Sequence, residues 1–393
     1  MKKSILFIIN KLVCGGAEKS LISLLETIDY TKYDVDLFLF KHEGLFLSKV
    51  PKGVKLIEEP VEYRYFDMPI KTAIINSVKK GRVDIVFLRM LAGYIFKREK
   101  NKARCEQRVW KYLSKSIKKL NKKYDVAIGF LEKNPIYFCI EKVDAETKIG
   151  FIHSDYDKLG MDPKIDKKYF NQLDKLITVS VESAKILKRN FPNISDKIKV
   201  MHNIVSPAAI RKLSLDKGGI RYKGITISSV GRLDYVKGYD MAIEACELLI
   251  KNGFDIKWYV VGEGEERKKI EQMIKEKNLF THFILLGVKE NPYPYIREAD
   301  IYVHPSRFEG KSMAIDEAKI LQKPIVVTRF NTAKDQISHQ VNGIVVDMNA
   351  KSIYEGIKSL IENHELRNKL INHLMIEQLG TESEVKKLYA YIS

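Results

Sequence analysis

Several large classes of protein are excluded by what this sequence does not contain. Its 393 residues hold no apolar run near the ~18 residues of a membrane span, so no spanning helix is expected. Four cysteines, Cys14, Cys105, Cys139 and Cys246, lie scattered with no C-x-x-C pair. Neither a disulfide framework nor a zinc site is expected, and a reducing cytoplasm fits. The opening MKKSILFIINKLVCGG has an apolar core of only five residues, Ile5 to Ile9, followed by Asn10 and Lys11. That is too short for the h-region of a signal peptide, and Val13 before Cys14 does not suit lipoprotein cleavage, so a buried first strand is expected. No short-period repeat is present, and no RNA- or DNA-binding motif accompanies the basic charge.

What is present describes a globular chain of about two domains, 45% apolar and 30% charged. The net charge is +18, from 68 Lys/Arg against 50 Asp/Glu. Residues 1–200 hold 40 against 25, a balance of +15, so the basic character belongs to the first half. Short apolar runs alternate with helical spacing. Strands are expected at 4–9, 35–40, 84–88, 125–130, 148–152, 176–180 and 197–201, then at 224–230, 256–261, 283–287, 300–305 and 324–328. Such runs between helices imply parallel sheets covered on both faces. The stretch SPAAIRKLSLDKGGIRYK, with proline and paired glycine, marks a boundary. The expected organisation is one Rossmann-like domain at 1–205, a linker at 206–223 and a second Rossmann-like domain at 224–379. A helix at about 380–393 is expected to pack back on the first domain. Ligands of doubly wound sheets sit beyond the carboxyl ends of strands, so two facing domains would hold the site in the cleft between them.

The segment RFEGKSMAIDEA, residues 307–318, contains a GKS that resembles the end of a phosphate-binding P-loop. The position of that loop's first glycine is held by Pro305, which cannot offer an N–H to phosphate. The NTPase reading fails. Glu309 and Glu317 enclose seven residues, the first before an expected helix and the second inside it. A helix start offers free N–H groups to an anion, and carboxylates accept hydroxyls. Diphosphate and hydroxyls together describe a nucleotide sugar. Taken alone, Glu309 as a solvated loop charge and Glu317 as an exposed helix residue would be equally good accounts.

SVGRLDYVKGYDMAIEA, YVVGEGEERKKIE, LLGVKENPYPYIREADIYVHPSRFEGKSMAIDEA and KPIVVT occur in one order across most of the C-terminal half. With the E-x7-E spacing they resemble the retaining glycosyltransferases of GT-B fold, family 4. The EGKS…DEA variant and VNGIVVD are similar to capsular and cell-surface polysaccharide transferases. The resemblance implies two Rossmann-like domains facing across a cleft. It implies transfer of a hexose from a nucleotide sugar, a UDP-sugar being expected, to a lipid-linked or surface-polysaccharide acceptor.

Arg232 and Lys237 then hold the donor phosphates, a pairing of bidentate and point-charge cations that suits a diphosphate. Glu317 takes the ribose, and Glu309 lies near the transferred sugar. The N–H groups of Gly310, Lys311 and Ser312 face sugar or phosphate, and Gly231 and Val288 complete the donor site. Gly15 and Gly16, in NKLVCGGAEKS, face diphosphate and acceptor, and His153 contacts the donor sugar. A glycine pair at a helix start or a lone histidine is otherwise more often structural. The chain departs from the family at Lys311 and Ser312, where Phe-Gly is common, so the donor sugar does not carry over. Retention is implied, with the leaving phosphate oxygen taking the acceptor proton and no carboxylate acting as nucleophile.

No metal or other cofactor is expected. Asp34 and Asp36 of DVD sit at the wrong end of a strand, and DYD at 155–157 is better placed, but two cations and a helix start already face the diphosphate. Residues 97–123 carry 12 Lys/Arg against two Glu, with Trp110, Leu113, Ile117 and Leu120 at helical spacing. The stripe is expected to pack into the core and the charges to face an anionic membrane at the inner face of the cell membrane. Nucleic acid is not an expected partner. A non-catalytic sugar-nucleotide-binding or scaffold protein of the same fold, or an epimerase, are the alternatives.

Overall fold

The computed structural model describes residues 2–13, 15–220 and 222–392. The chain divides into two compact units, one of residues 1–13, 17–202 and 384–393, the other of 14–16 and 203–383.

The first unit is built on a seven-stranded parallel sheet, β1 (Lys3–Ile9), β2 (Tyr33–Leu39), β3 (Val54–Leu56), β4 (Lys123–Gly129), β5 (Asp144–Ile152), β6 (Lys175–Thr178) and β7 (Ile198–Val200). Its order is β3-β2-β1-β4-β5-β6-β7, so the direction of winding reverses between β1 and β4. The second unit holds six parallel strands, β8 (Ile225–Val230), β9 (Ile256–Val261), β10 (Phe283–Gly287), β11 (Ile301–His304), β12 (Ile325–Thr328) and β13 (Ile344–Val346). Their order is β10-β9-β8-β11-β12-β13, reversing between β8 and β11. Both units are doubly wound, and such reversal points are where the crevice beyond the strand ends opens.

The apolar runs become strands because both sheet faces are covered. Ile5, Leu6, Phe7, Ile8 and Ile9 of β1 are fully buried, as are Trp258 and Val260 of β9. The Tyr239–Lys251 helix turns Ala242, Ala245 and Leu249 into the second core. The Val385–Ile392 helix packs on the first unit. Tyr389 stacks on Tyr33 at 5.1 Å, and Lys3 Nζ donates to the Ile392 carbonyl at 2.9 Å. Residues 206–223, read from sequence as a linker, contain the Pro207–Ser214 helix, whose Ile210 is buried with Val205, Tyr293 and Ile320.

Residues 84–88, expected as a strand, lie instead in a 16-residue helix, Val83–Arg98. No turn residue follows DIVFL, and the apolar pattern runs on through Leu91, Ala92 and Ile95, so helix length decides against a strand. β3 went unread because its VKL is largely exposed and forms no apolar run, and the three-residue β13 because it is too short to show a period. The 97–123 stripe packs inward, with Trp110, Leu113 and Ile117 buried and Leu120 against them. Part of its charge is paired: Arg108 with Glu99 at 2.9 Å, Lys122 with Asp36 at 2.9 Å. No helix among the described residues is long and apolar enough to cross a membrane.

Candidate functional site

The carboxyl ends of β8 and β11 carry most of the residues singled out in the second unit. After β8 the chain passes Gly231, Arg232 and Leu233 to a short turn at Tyr235–Lys237, capped by Asp234, whose carboxylate accepts the Lys237 N–H at 3.2 Å. Gly238 follows with φ +67, and a Cβ there would stand 2.1 Å from the Pro305 carbonyl oxygen. Only glycine permits both the left-handed backbone and this approach, which brings Lys237 beside the loop after β11.

In that loop the side chain of Glu309 is enclosed. Its Oε1 accepts from Lys237 Nζ at 2.5 Å, from His304 Nε2 at 2.9 Å and from Ser306 Oγ at 2.8 Å. No described residue donates to its other oxygen, Oε2. Burial opposes the charge on Glu309, but Lys237 and the His304 hydrogen bond override it and hold the carboxyl well below its ordinary range. His304, the last residue of β11, is fully buried, and burial pushes its pKa down against the pull of Glu309. A neutral imidazole with its proton on Nε2 satisfies both neighbours, since Nδ1 then accepts from the Tyr302 hydroxyl at 3.3 Å. Thr328 Oγ1 donates to the Ser306 carbonyl at 2.5 Å and Thr332 Oγ1 to that of Glu309 at 2.9 Å, fixing the loop.

Arg232 stands apart from this cluster. Its side chain is 62% exposed and 3.4 Å from Asp234, so the guanidinium keeps most of its donors for a ligand. Arg307 does the structural work instead. Its guanidinium forks onto Asp240 at 2.9 and 2.6 Å, bonds the Tyr235 carbonyl at 2.8 Å and lies 4.0 Å over the Tyr235 ring. It thereby ties the Glu309 loop to the turn that carries Lys237.

The helix after the loop runs Met313–Ile320 with Ser312 at its cap. Glu317 is buried in it, 2% exposed, not on a solvent face. The Ser312 N–H, expected to face sugar or phosphate, donates to the Gln336 side chain at 2.8 Å. Gln336 in turn donates to the Ser312 carbonyl at 2.7 Å and to Asp316 at 2.8 Å. The N–H groups of Gly310 and Lys311 bond to no described residue. Lys311 folds back, enclosed, with its Nζ 3.6 Å from Asp316. Val288 follows β10 at the surface, 39% exposed.

In the first unit His153 follows β5. It is part-buried, stacked on Phe151 and beside Phe130, and the desolvation of its ring lowers its pKa to about 4. Its backbone N–H donates to the Glu132 carboxylate at 3.2 Å, while the ring Nε2 is buried with no partner among the described residues. Asn10 Oδ1, beyond β1, and Asn134 Oδ1, beyond β4, are likewise buried and unpartnered. These three belong to adjacent strand ends at the winding reversal, where unsatisfied polar atoms are unusual unless a ligand completes them. Gly16 opens the Gly16–Thr27 helix, and a Cβ on it would meet nothing within 4 Å. Gly15 immediately precedes it.

The DYD carboxylates are spoken for. Asp155 caps a helix turn by accepting the Asp157 N–H at 3.0 Å, and Asp157 pairs with Arg189 and with Asn190 at 2.8 Å. Asp36 of DVD accepts from Lys122 and Tyr124.

His304, Ser306, Arg307, Gln336, Glu132, Asn10 and Asn134 were not found from sequence. The signals present were slight: a histidine and serine flanking Pro305, and an arginine in RFEG.

Residues 211–373 match the model of the family described as Glycosyl transferases group 1. A Campylobacter jejuni protein named N-acetylgalactosamine-N,N'-diacetylbacillosaminyl-diphospho-undecaprenol 4-alpha-N-acetylgalactosaminyltransferase is 28% identical over 205 residues, 52% of this chain and 55% of that protein. The chain spans about half the length of the curated relatives it matches. Among solved structures, a TarM mutant of S. aureus in complex with fondaparinux, alpha-GlcNAc-glycerol and UDP superposes with a TM-score of 0.67 at 18% identity, covering 100% of both chains. Anabaena Alr3699/HepE in complex with UDP and glucose gives 0.68 at 16% identity, covering 99% of this chain and 98% of that one.

Proposed function

We infer that this chain, which carries a group 1 glycosyl transferase domain over residues 211–373 in a GT-B fold, transfers a hexose from a UDP-sugar to a lipid-linked or glycan acceptor with retention. The observation that carries the reading is the Lys237–Glu309–His304 cluster at the winding reversal of the second sheet, with the exposed Arg232 on the same β8 loop as Lys237. A diphosphate entering there meets Arg232 at once and competes with Glu309 for Lys237. Both cations then stand where charge develops as the sugar leaves. Glu309 keeps Oε2 for a sugar hydroxyl, the N–H groups of Gly310 and Lys311 serve the phosphate, and Glu317 accepts from the ribose. Within the first unit, His153, with Nε2 unsatisfied, is assigned a sugar contact. The leaving phosphate oxygen takes the acceptor proton on the same face, so no carboxylate attacks and no metal is required.

UDP in the TarM and HepE structures supports the donor, and the undecaprenol substrate named for the C. jejuni relative supports a lipid-linked acceptor. Nucleotide release from UDP-, GDP- and ADP-sugars, with membrane lipid extract and with or without a chelator, tests this. Release from one donor is expected, unaffected by chelation and lost in Glu317→Gln, which keeps the buried volume. No release and no donor-dependent thermal shift with any sugar nucleotide would replace the enzyme with a scaffold.

A further inference from the structure

The Ile70–Lys79 and Val83–Arg98 helices form a hairpin turning at Gly81, and Ile70 lies over Gly93 near the far end. The inner side is ordinary: Ala73, Ile85 and Ala92 belong to the first unit's core. Buried Arg89 anchors it by donating to the carbonyls of Tyr65 at 2.9 Å and Met68 at 3.0 Å. The outer side is not ordinary. Val83, Phe87, Met90 and Tyr94 follow each other at i, i+4, i+7 and i+11, one helix face, and are 70%, 60%, 48% and 57% exposed. Ile75 and Val78 of the first helix are exposed as well, 54% and 59%. A helix that is apolar all round is normally buried all round. Single exposed apolar residues need no account, but a continuous row does.

The surrounding charge selects what covers it. Residues 70–100 contain eight Lys/Arg against two Asp/Glu. Both acids are engaged, Asp84 with Arg82 and Glu99 with Arg104 and Arg108. Lys79 and Lys80 precede the row, Lys97 and Lys100 follow it, and none has a carboxylate partner among the described residues. A second copy of this face would bring like charges together, whereas an anionic lipid surface takes apolar side chains and cations at once.

We propose that this hairpin is the membrane-docking face of the protein, with Phe87, Met90 and Tyr94 entering the headgroup boundary of an anionic bilayer and the flanking lysines meeting lipid phosphates. The face differs from residues 97–123, whose charges were expected to meet the membrane and whose apolar stripe lies, as expected, inside the core. It gives the membrane part of the reading above its surface. Because vesicle binding needs no turnover, failure of one is distinguishable from failure of the other.

Cosedimentation of the full chain with phosphatidylcholine vesicles, and with vesicles also containing phosphatidylglycerol, tests it. Binding is expected only with the anionic lipid and should weaken as salt rises. Phe87→Ser/Tyr94→Ser is expected to lower partitioning roughly tenfold per side chain. Lys79→Gln/Lys80→Gln/Lys97→Gln should lower it about fivefold per cation. Neither should shift the melting temperature, since the changed side chains lie outside the core. A Phe87→Trp protein should show a blue shift on anionic vesicles, against a quiet background because Trp110 and Trp258 are buried. Equal binding by all variants, or no binding by the parent, overturns the proposal. So does self-association in the absence of lipid that the Phe87/Tyr94 variant abolishes, which would assign the face to a second copy.

Discussion

Replacing Lys237 with methionine keeps an aliphatic stem and deletes the only cation among the described residues bonded to Glu309. The pair is enclosed, with side-chain exposures of 16% and 13%. Removing one partner of a buried pair costs about 3–5 kcal/mol, because the other charge stays buried. His304 and Ser306 retain two of the three hydrogen bonds to Oε1, so the lower end, about 3 kcal/mol, is expected. The pH dependence carries the diagnosis. With its folded pKa depressed below the ordinary 4.5, Glu309 contributes stability that is full above the unfolded pKa and lost as pH falls through the folded one. In Lys237→Met, burial dominates and the folded pKa rises, so the carboxylate destabilises above that pKa and ceases to below it. The gap between the two proteins should therefore narrow as pH is lowered from about 8 to about 5. Each unit contains one buried tryptophan, Trp110 or Trp258. Urea unfolding followed by Trp258 emission in a Trp110→Phe background reports the relevant unit. Adding Glu309→Gln to Lys237→Met should restore most of the loss. A cost under about 1 kcal/mol, or a gap that ignores pH, would refute the claim that Lys237 holds Glu309 ionised.

Arg232→Ala should leave the urea midpoint nearly unchanged, within about 0.5 kcal/mol, while UDP affinity by titration calorimetry falls roughly tenfold or more; unchanged affinity removes Arg232 from the donor site. His153 titrates near 4 when folded against 6.5 unfolded. The unfolded chain thus binds its proton first, and stability is lost as pH is lowered, by about 2 kcal/mol from roughly pH 7 to 5. Unfolding of the first unit, followed through Trp110, should lose that slope in His153→Leu; an unaltered slope would show that His153 is not held neutral by burial.

Fold class was legible because both sheets are covered on two sides. Continuous apolar runs such as Ile5–Ile9 are what such strands require, and eleven of the thirteen strands lie where those runs do. In the second half, the ordered motifs located the ends of β8 and β11 and the helix after β11. They did not show that Lys237 and Glu309 touch. That contact depends on Gly238 letting the β8 loop come up to Pro305, and on Arg307 tying the two loops together through Asp240. Both are consequences of a tertiary approach across about 70 residues of chain, with no local period to announce it. His304, Ser306 and Gln336 are hidden for the same reason, since each matters by what it faces.

The misread segment at 84–88 and the docking hairpin have one cause. Periodicity identifies a helix by contrast between a wet face and a dry one, and the Val83–Arg98 helix offers almost none. Ile85 and Ala92 are apolar because they meet the core, and Val83, Phe87, Met90 and Tyr94 are apolar although they do not. Read alone, such a run is indistinguishable from a strand buried on both faces. The basic residues 97–123 drew the membrane expectation because their charge is visible in composition, yet their apolar stripe is committed to Trp110 and its neighbours. Charge and apolar surface therefore separate along the chain. Cations are densest from Lys97 onward, and only the folded hairpin shows which apolar surface remains for a bilayer to cover.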